Sequence, residues 1–167
     1  MVIFLGIGTN LGDREANLRT ALQLLHERVG ECIACSSIYR SAPQGFVSEN
    51  EFANMVVVCR TDHSLEEVLL ITQQIEREMG RTEKSVNGVY HDRVIDIDLL
   101  QAGMGSRESG SAIQESGIGN RESGIQTQVE CKTDTLTLPH PRMHERDFVM
   151  IPLREVEAIL QSLTSNL

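Results

Sequence analysis

The stretch from Ile33 to Arg60, IACSSIYRSAPQGFVSENEFANMVVVCR, decides the fold through what it leaves out. Two runs rich in β-branched and apolar residues, Ile33 to Tyr39 and Phe52 to Arg60, read as strands on either side of the polar loop SAPQGFVSEN. No helix separates them, so a doubly wound parallel sheet is excluded, because each of its crossovers needs one. Working outward, Val2 to Gly8 is a short apolar strand. Asp13 to Val29 then repeats apolar residues at helical spacing (Ala16, Leu18, Ala21, Leu22, Leu25, Val29) and stops at Gly30. On the other side, Ser64 with Glu67 forms a capping box for a second helix, striped by Leu65, Val68, Leu69, Ile71, Thr72 and Ile75 and ended by Gly80. HDRVIDIDLL, His91 to Leu100, is the last strand of a β-α-β-β-α-β order. The expected class is α+β: a ferredoxin-like (split βαβ) antiparallel sheet whose two helices share a face, with helices packed on it as a three-layer αβα unit. Beyond it, Thr135 to Leu138 reads as a short strand, and two or three helical turns follow from Arg142.

The chain has 167 residues, enough for a single domain over 1–167 with a sizeable core. Fifteen basic against 24 acidic residues give a net charge of −9, which argues against broad nucleic-acid binding but leaves room for a small anion held by a local arginine cluster. The opening MVIFLGIGTNLGD lacks the basic n-region of a signal peptide, and no apolar run nears the ~20 residues of a membrane span. A cytoplasmic location is expected. Cys32 and Cys35 form a C-x-x-C pair, yet a β-branched strand holds such a pair poorly for zinc or redox work. Structural or incidental thiols are the expectation for these and for Cys59 and Cys131.

Arg107 to Thr127 divides into RESGSAI, QESGIGN and RESGIQT, with Glu108, Glu115 and Glu122 in step. Seven is the coiled-coil period, but a glycine in every unit and few apolar residues cannot form a seam. Six of the 13 glycines fall between Gly103 and Gly124, so the segment at about 103–130 is expected to be a flexible tandem-repeat loop insert. Closure entropy grows only logarithmically with length, so its cost to stability should be small.

In an extended HDRVIDIDLL, Asp96 and Asp98 point to one face while Ile95, Ile97 and Leu99 point to the other. Their Cα atoms then lie roughly 6.5–7 Å apart. Either the two face water from a half-exposed edge strand, or they converge on a hard divalent cation such as Mg²⁺ that carries phosphates. Arg81 and Lys84 in the preceding loop, with Arg93 at the mouth of the strand, would complement a metal-bound polyphosphate. GIGTNLGD (Gly6 to Asp13) opens a helix after a strand, but Leu11 occupies the third glycine position of a dinucleotide fingerprint, leaving a plain strand-to-helix turn. LPHPRMHERDF gathers His140, Arg142, His144 and Arg146. His140, fixed between two prolines, suits either a phosphate or proton contact or a packed structural role, and Pro141 argues against His140 and His144 sharing zinc on one helix.

Together, GIGTNLGDREANL, SSIYRSAPQG, EFANMVVV, QIEREMGR, DRVIDIDLL and LTLPHPRMHERDFVMIPLREV resemble, in that order, the hydroxymethyldihydropterin pyrophosphokinases of folate biosynthesis. The resemblance covers most of the chain outside the repeat insert. It implies transfer of the terminal diphosphate of ATP to the hydroxymethyl oxygen of a dihydropterin, with release of AMP, by a monomer whose partners are these small molecules, not nucleic acid or membrane. It implies that Asp96 and Asp98 bind two Mg²⁺ ions, that Arg81 and Arg93 are catalytic, and that Glu76, Lys84, Arg93, His140 and Arg146 serve ATP. The pterin would lie over the loop bearing Ser41, Ala42 and Gln44, bonded by Asn54 and sandwiched by Phe52 and Phe148. One departure stands out: the family's Arg-Trp-Gly-Pro before the arginine is here NGVYHD (Asn87 to Asp92), with Tyr90 or His91 as the candidate closing aromatic. The repeat insert falls where the family has a short excursion and is expected to leave catalysis intact.

Overall fold

The structure, a computed structural model, describes residues 1–81, 91–105 and 125–165. β1 (Val2–Thr9) leads into α1 (Arg14–Arg28), followed by β2 (Glu31–Cys35), β3 (Tyr39–Ser41), β4 (Phe52–Arg60) and α2 (Leu65–Glu78). β5 (Asp96–Gly105), β6 (Ile125–Val129), β7 (Cys131–Lys132), β8 (Thr137–Leu138), a 3₁₀ turn at Met143–Glu145 and α3 (Asp147–Ser165) complete the described chain. The main sheet runs β2-β4-β1-β5-β6, every pairing is antiparallel, and β3 also pairs with β4. This is the split βαβ order expected from Ile33 to Arg60.

Local chemistry sets the helix ends. The Asp13 carboxylate caps α1 by accepting from the Ala16 N–H, and Ser64 and Glu67 form the anticipated reciprocal box on α2. Gly80, at φ 98°, reverses the chain after α2 in a conformation that costs a Cβ-bearing residue. The alternation of the strands then assigns the layers. Ile3, Leu5, Ile7, Met55, Val57, Ile97 and Leu99 face α1 and α2, whereas Val2, Phe4, Val56, Val58 and Leu100 face Val149, Leu153, Val156 and Leu160 of α3. The result is three layers, αβα, with Phe4 fully buried in the second interface.

Four expectations change. The run Ile33 to Tyr39 is not one strand: β2 ends at Cys35 and β3 begins at Tyr39, because the Ser36 N–H and hydroxyl bond to the Val56 backbone instead of continuing the ladder. The last strand begins at Asp96 and not at His91, because residues 92–94 are held by side chains: Asn10 binds the Arg93 backbone and Asn17 donates to the Val94 carbonyl. The C-terminal helix is 19 residues long, not two or three turns, since its apolar residues recur every three or four positions against the sheet. Strand pairing also reaches into the expected insert at both ends, with Gly105 opposite Ile125, while residues 106–124 lie outside the described residues. Among the cysteines, Cys32 Sγ lies 3.1 Å from Cys59 Sγ across the β2–β4 pair, and Cys35 is exposed; all four are free.

Candidate active site

The α3 face of the sheet changes character along β1. Val2 and Phe4 pack under α3, but the next two residues on that face are Gly6 and Gly8. The register places Asn54, Gly8 and Asp96 in one row across β4, β1 and β5, and Val56, Gly6 and Asp98 in the next. Each aspartate therefore faces a neighbour with no side chain. These rows floor a cavity of about 400 Å³ beyond the first turn of α3. A Cβ on Gly8 would stand 3.1 Å from Asn54 Oδ1, and one on Gly6 would stand 3.3 Å from the Leu100 side chain. Glycine within a strand, a weakening choice by propensity, keeps this floor open. The sequence signal was present in G-I-G but reads as a turn if only the dinucleotide pattern is sought.

Its walls come from three other segments. Ser41, Ala42, Gln44, Gly45 and Phe46 of the β3–β4 connection form one side with Phe52. His140, Arg142, Arg146 and Phe148 come from the C-terminal segment, and Arg81 and Arg93 enter from the segments flanking the undescribed 82–90. A β-bulge helps place the C-terminal wall. The register shifts between Phe4 and Leu5, leaving Leu100 out of step, and its carbonyl accepts the His140 N–H at 2.8 Å. His140 Nδ1 accepts the Arg142 N–H at 3.3 Å, which leaves Nε2–H as a donor, and burial with the nearby arginines Arg146 and Arg142 holds its pKa below the usual histidine range.

Asp96 lies between two guanidiniums: Arg81 Nη1 is 2.5 Å from Oδ1 and Arg93 Nη1 is 3.0 Å from Oδ2. Arg81 is shared with Glu76, whose Oε1 also accepts the Ile97 N–H at 2.7 Å. Glu76 is buried on the helix side of β5 and does not line the cavity; it anchors Arg81 from behind. Burial is the main cause of its raised pKa, against the pull of Arg81. Arg81 Nε is buried with no hydrogen-bond partner among the described residues. Burial, then the charge of Asp96, pushes the Asp98 carboxyl up to about 7, while Arg146 and Arg81 pull the other way. Arg93 sits over the Phe52 ring at 5.5 Å, Arg146 over Phe148 at 5.7 Å, and Phe46 meets Phe52 edge-on. Asn54 donates to the Tyr39 carbonyl and the Ser41 hydroxyl, which fixes its amide at the cavity floor.

Of the residues singled out from sequence, Ser41, Ala42, Gln44, Phe52, Asn54, Arg81, Arg93, Asp96, Asp98, His140, Arg146 and Phe148 line this one cavity. Lys84 lies outside the described residues, and Glu76 stands behind the wall. Sequence reasoning passed over Gly6, Gly8 and Phe46 as site residues, and it grouped Arg142 with His140, His144 and Arg146 without giving it a role. Four arginines against two aspartates make the cavity locally cationic in a chain of net charge −9.

A carboxylate pair among arginines thus shares one cavity with two phenylalanines and a fixed amide on an α+β frame. Residues 4–158 match the family model of 7,8-dihydro-6-hydroxymethylpterin-pyrophosphokinase. The chain is 41% identical over 155 residues to the 2-amino-4-hydroxy-6-hydroxymethyldihydropteridine pyrophosphokinase of Porphyromonas gingivalis, covering 93% of this chain and 90% of that one. The Bacillus subtilis protein of the same name is 36% identical, with 93% and 77% covered. A crystal structure described as HPPK-DHPS in complex with substrates superposes with a TM-score of 0.58 at 17% identity, over 93% of this chain and 40% of that chain; this likeness bears on the fold alone. The chain belongs to the hydroxymethyldihydropterin pyrophosphokinase family, the pyrophosphokinases of folate biosynthesis, and is by that membership a transferase.

Proposed function

We propose that this cavity binds ATP and 6-hydroxymethyl-7,8-dihydropterin side by side and moves the terminal diphosphate to the pterin hydroxymethyl oxygen, releasing AMP. The observation that carries the reading is the pair of rows Asn54–Gly8–Asp96 and Val56–Gly6–Asp98, which sets the Asn54 amide and two carboxylates on one open floor. The reaction needs in-line placement and charge neutralisation more than a covalent nucleophile. Arg81 and Arg93 are held by Glu76, Asp96 and Asn10, and on this reading they take up charge on the transferred group. His140 and Arg146, with Lys84, serve the remaining phosphates. Phe52 and Phe148 hold the pterin ring and Asn54 reads its edge, over Ser41, Ala42 and Gln44.

The donors fit Mg²⁺. Asp98 is a carboxylate whose ionisation burial and Asp96 oppose, so a cation beside it relieves both penalties. Two carboxylates are a donor set that suits an ion which keeps water and takes phosphate oxygens. Asp96 and Asp98 would hold the ions, two in number, and the metal would supply neutralisation of the triphosphate charge.

The direct test is product analysis with ATP, Mg²⁺ and 6-hydroxymethyl-7,8-dihydropterin. AMP formed in step with pterin consumption supports the reading; ADP, or pyrophosphate with a nucleotidylated acceptor, sinks it. A second expectation concerns the floor. Gly8→Val should weaken pterin binding by roughly 10–200-fold, the scale on which added methyl groups act in a fitted pocket. Its circular dichroism should be unchanged, since valine suits a strand. Calorimetric titration reads the affinity, and undiminished binding would remove Gly8 from the pocket.

A further inference from the structure

Asp92 closes the segment in which this chain departs from its family, and the reaction as described gives it no task. Its carboxylate ties together three segments that are far apart in sequence. Asn10 Nδ2, from the β1–α1 turn, donates to Oδ1 at 2.6 Å, and Asn50 Nδ2, from the β3–β4 connection, donates to Oδ2 at 2.8 Å. Asn10 is 3% exposed and its remaining groups are committed. Its Oδ1 accepts the Arg93 N–H at 2.8 Å, its own N–H donates to the Arg93 carbonyl at 3.1 Å, and its amide also reaches the Asn50 carbonyl at 3.3 Å. The backbone of Arg93 is thus clamped on both sides by Asn10, while Asp92 connects that clamp to the connection bearing Ala42, Gln44 and Phe46.

We propose that Asp92 is a positioning residue that couples the acceptor-side wall of the cavity to Arg93, so that closing the wall on the ring also sets the arginine on the phosphate side. A carboxylate suits this place because it only accepts, through two oxygens, and both neighbours present amide N–H groups. Asn10 cannot turn its amide over without losing the Arg93 N–H. Asn50 can, which predicts how variants behave: in Asp92→Asn the oxygen stays on Asn10 and the new NH₂ meets a reversed Asn50 amide, whereas Asp92→Ala loses both bonds.

The proposal rests on the pyrophosphokinase reading, and AMP release by the unaltered chain is the control that keeps the two apart. Without it the reading of function fails; with it, the Asp92 variants decide the coupling alone. Asp92→Ala should lower kcat roughly ten- to a hundred-fold, the scale of a misplaced catalytic group, and raise KM for the pterin. KM for ATP should move little. Asp92→Asn should recover most of the loss, and Asn50→Ala, a milder cut of the same tie, should reproduce part of it. Asp92→Ala with Asn50→Ala should be no worse than Asp92→Ala alone. Kinetics of Asp92→Ala within twofold of the unaltered chain overturn the coupling, as do additive effects of the two alanine changes. Should Asp92→Ala fail to fold, the Asn50→Ala and Asp92→Asn kinetics carry the test.

Discussion

Asp98→Asn should lower turnover by roughly 10²–10³-fold while making the metal-free protein more stable at pH 8. The two effects run in opposite directions for one physical reason. Asp98 is set in the cavity floor two residues from Asp96, where burial and that neighbour push its carboxyl up to about 7. The ordinary value is ~3.9, so between about pH 4 and 7 the folded chain holds a proton that the unfolded chain has released. The stabilising contribution of that proton is full below about pH 4 and is lost as pH rises through 7. Above that, the folded protein carries an opposed negative charge, which asparagine removes. In the working enzyme the same charge is what a cation and its phosphates need, and removing such an electrostatic partner costs rate on the scale given. Thermal unfolding at pH 5 and 8 without Mg²⁺, paired with the AMP assay, checks both halves. Loss of activity and stability together would mark Asp98 as a structural anchor instead.

The second large effect is on stability. Glu76→Ala should destabilise the fold by about 1–3 kcal/mol, because the buried Ile97 N–H is left without an acceptor while Arg81 keeps only Asp96. Two donors are affected at once: Arg81 Nη1 is left with Asp96 as its one carboxylate partner of the two, and the Ile97 N–H loses its acceptor. The second would be a buried backbone donor with nothing to bond. Glu76→Gln keeps an amide oxygen for Ile97 and should cost less than half as much. Equilibrium urea unfolding distinguishes them, and equal losses for the two variants would show that charge, not the shared acceptor, matters. Turnover should fall in both, since Arg81 then leans on Asp96 alone.

How far the sequence revealed this site depends on the length scale of each signal. The layers were legible because alternation in β1, β4 and β5 and the stripes of α1 and α2 are local and repeat. Asp96 and Asp98 were legible because a period of two places them on one face. Gly6 and Gly8 follow the same period, yet their meaning depends on lying opposite those aspartates, and register between β1 and β5 is a long-range fact. Asn10 and Asp92 are 82 positions apart and belong to no periodic pattern, so nothing local announces their bond. Glu76 presents an intermediate case. It interrupts the buried face of α2 just after Ile75, a charge where the helix turns inward, but only the fold shows that it props Arg81 instead of lining the cavity. The early start assigned to the last strand failed for a related reason: residues 92–94 run straight into the alternating Ile95–Leu99 pattern but are held by side-chain amides.

The pairing of Gly105 with Ile125 also bears on how this protein can vary. β5 runs from the aspartates at one end to Gly105 at the other, about 30 Å away along an extended strand. Because the repeat segment departs and returns on adjacent strands, residues can be gained or lost between them in whole units without lengthening the path to the cavity. Seven-residue units added or deleted at that end, or a reporter grafted there, should therefore leave the aspartates at the other end in place.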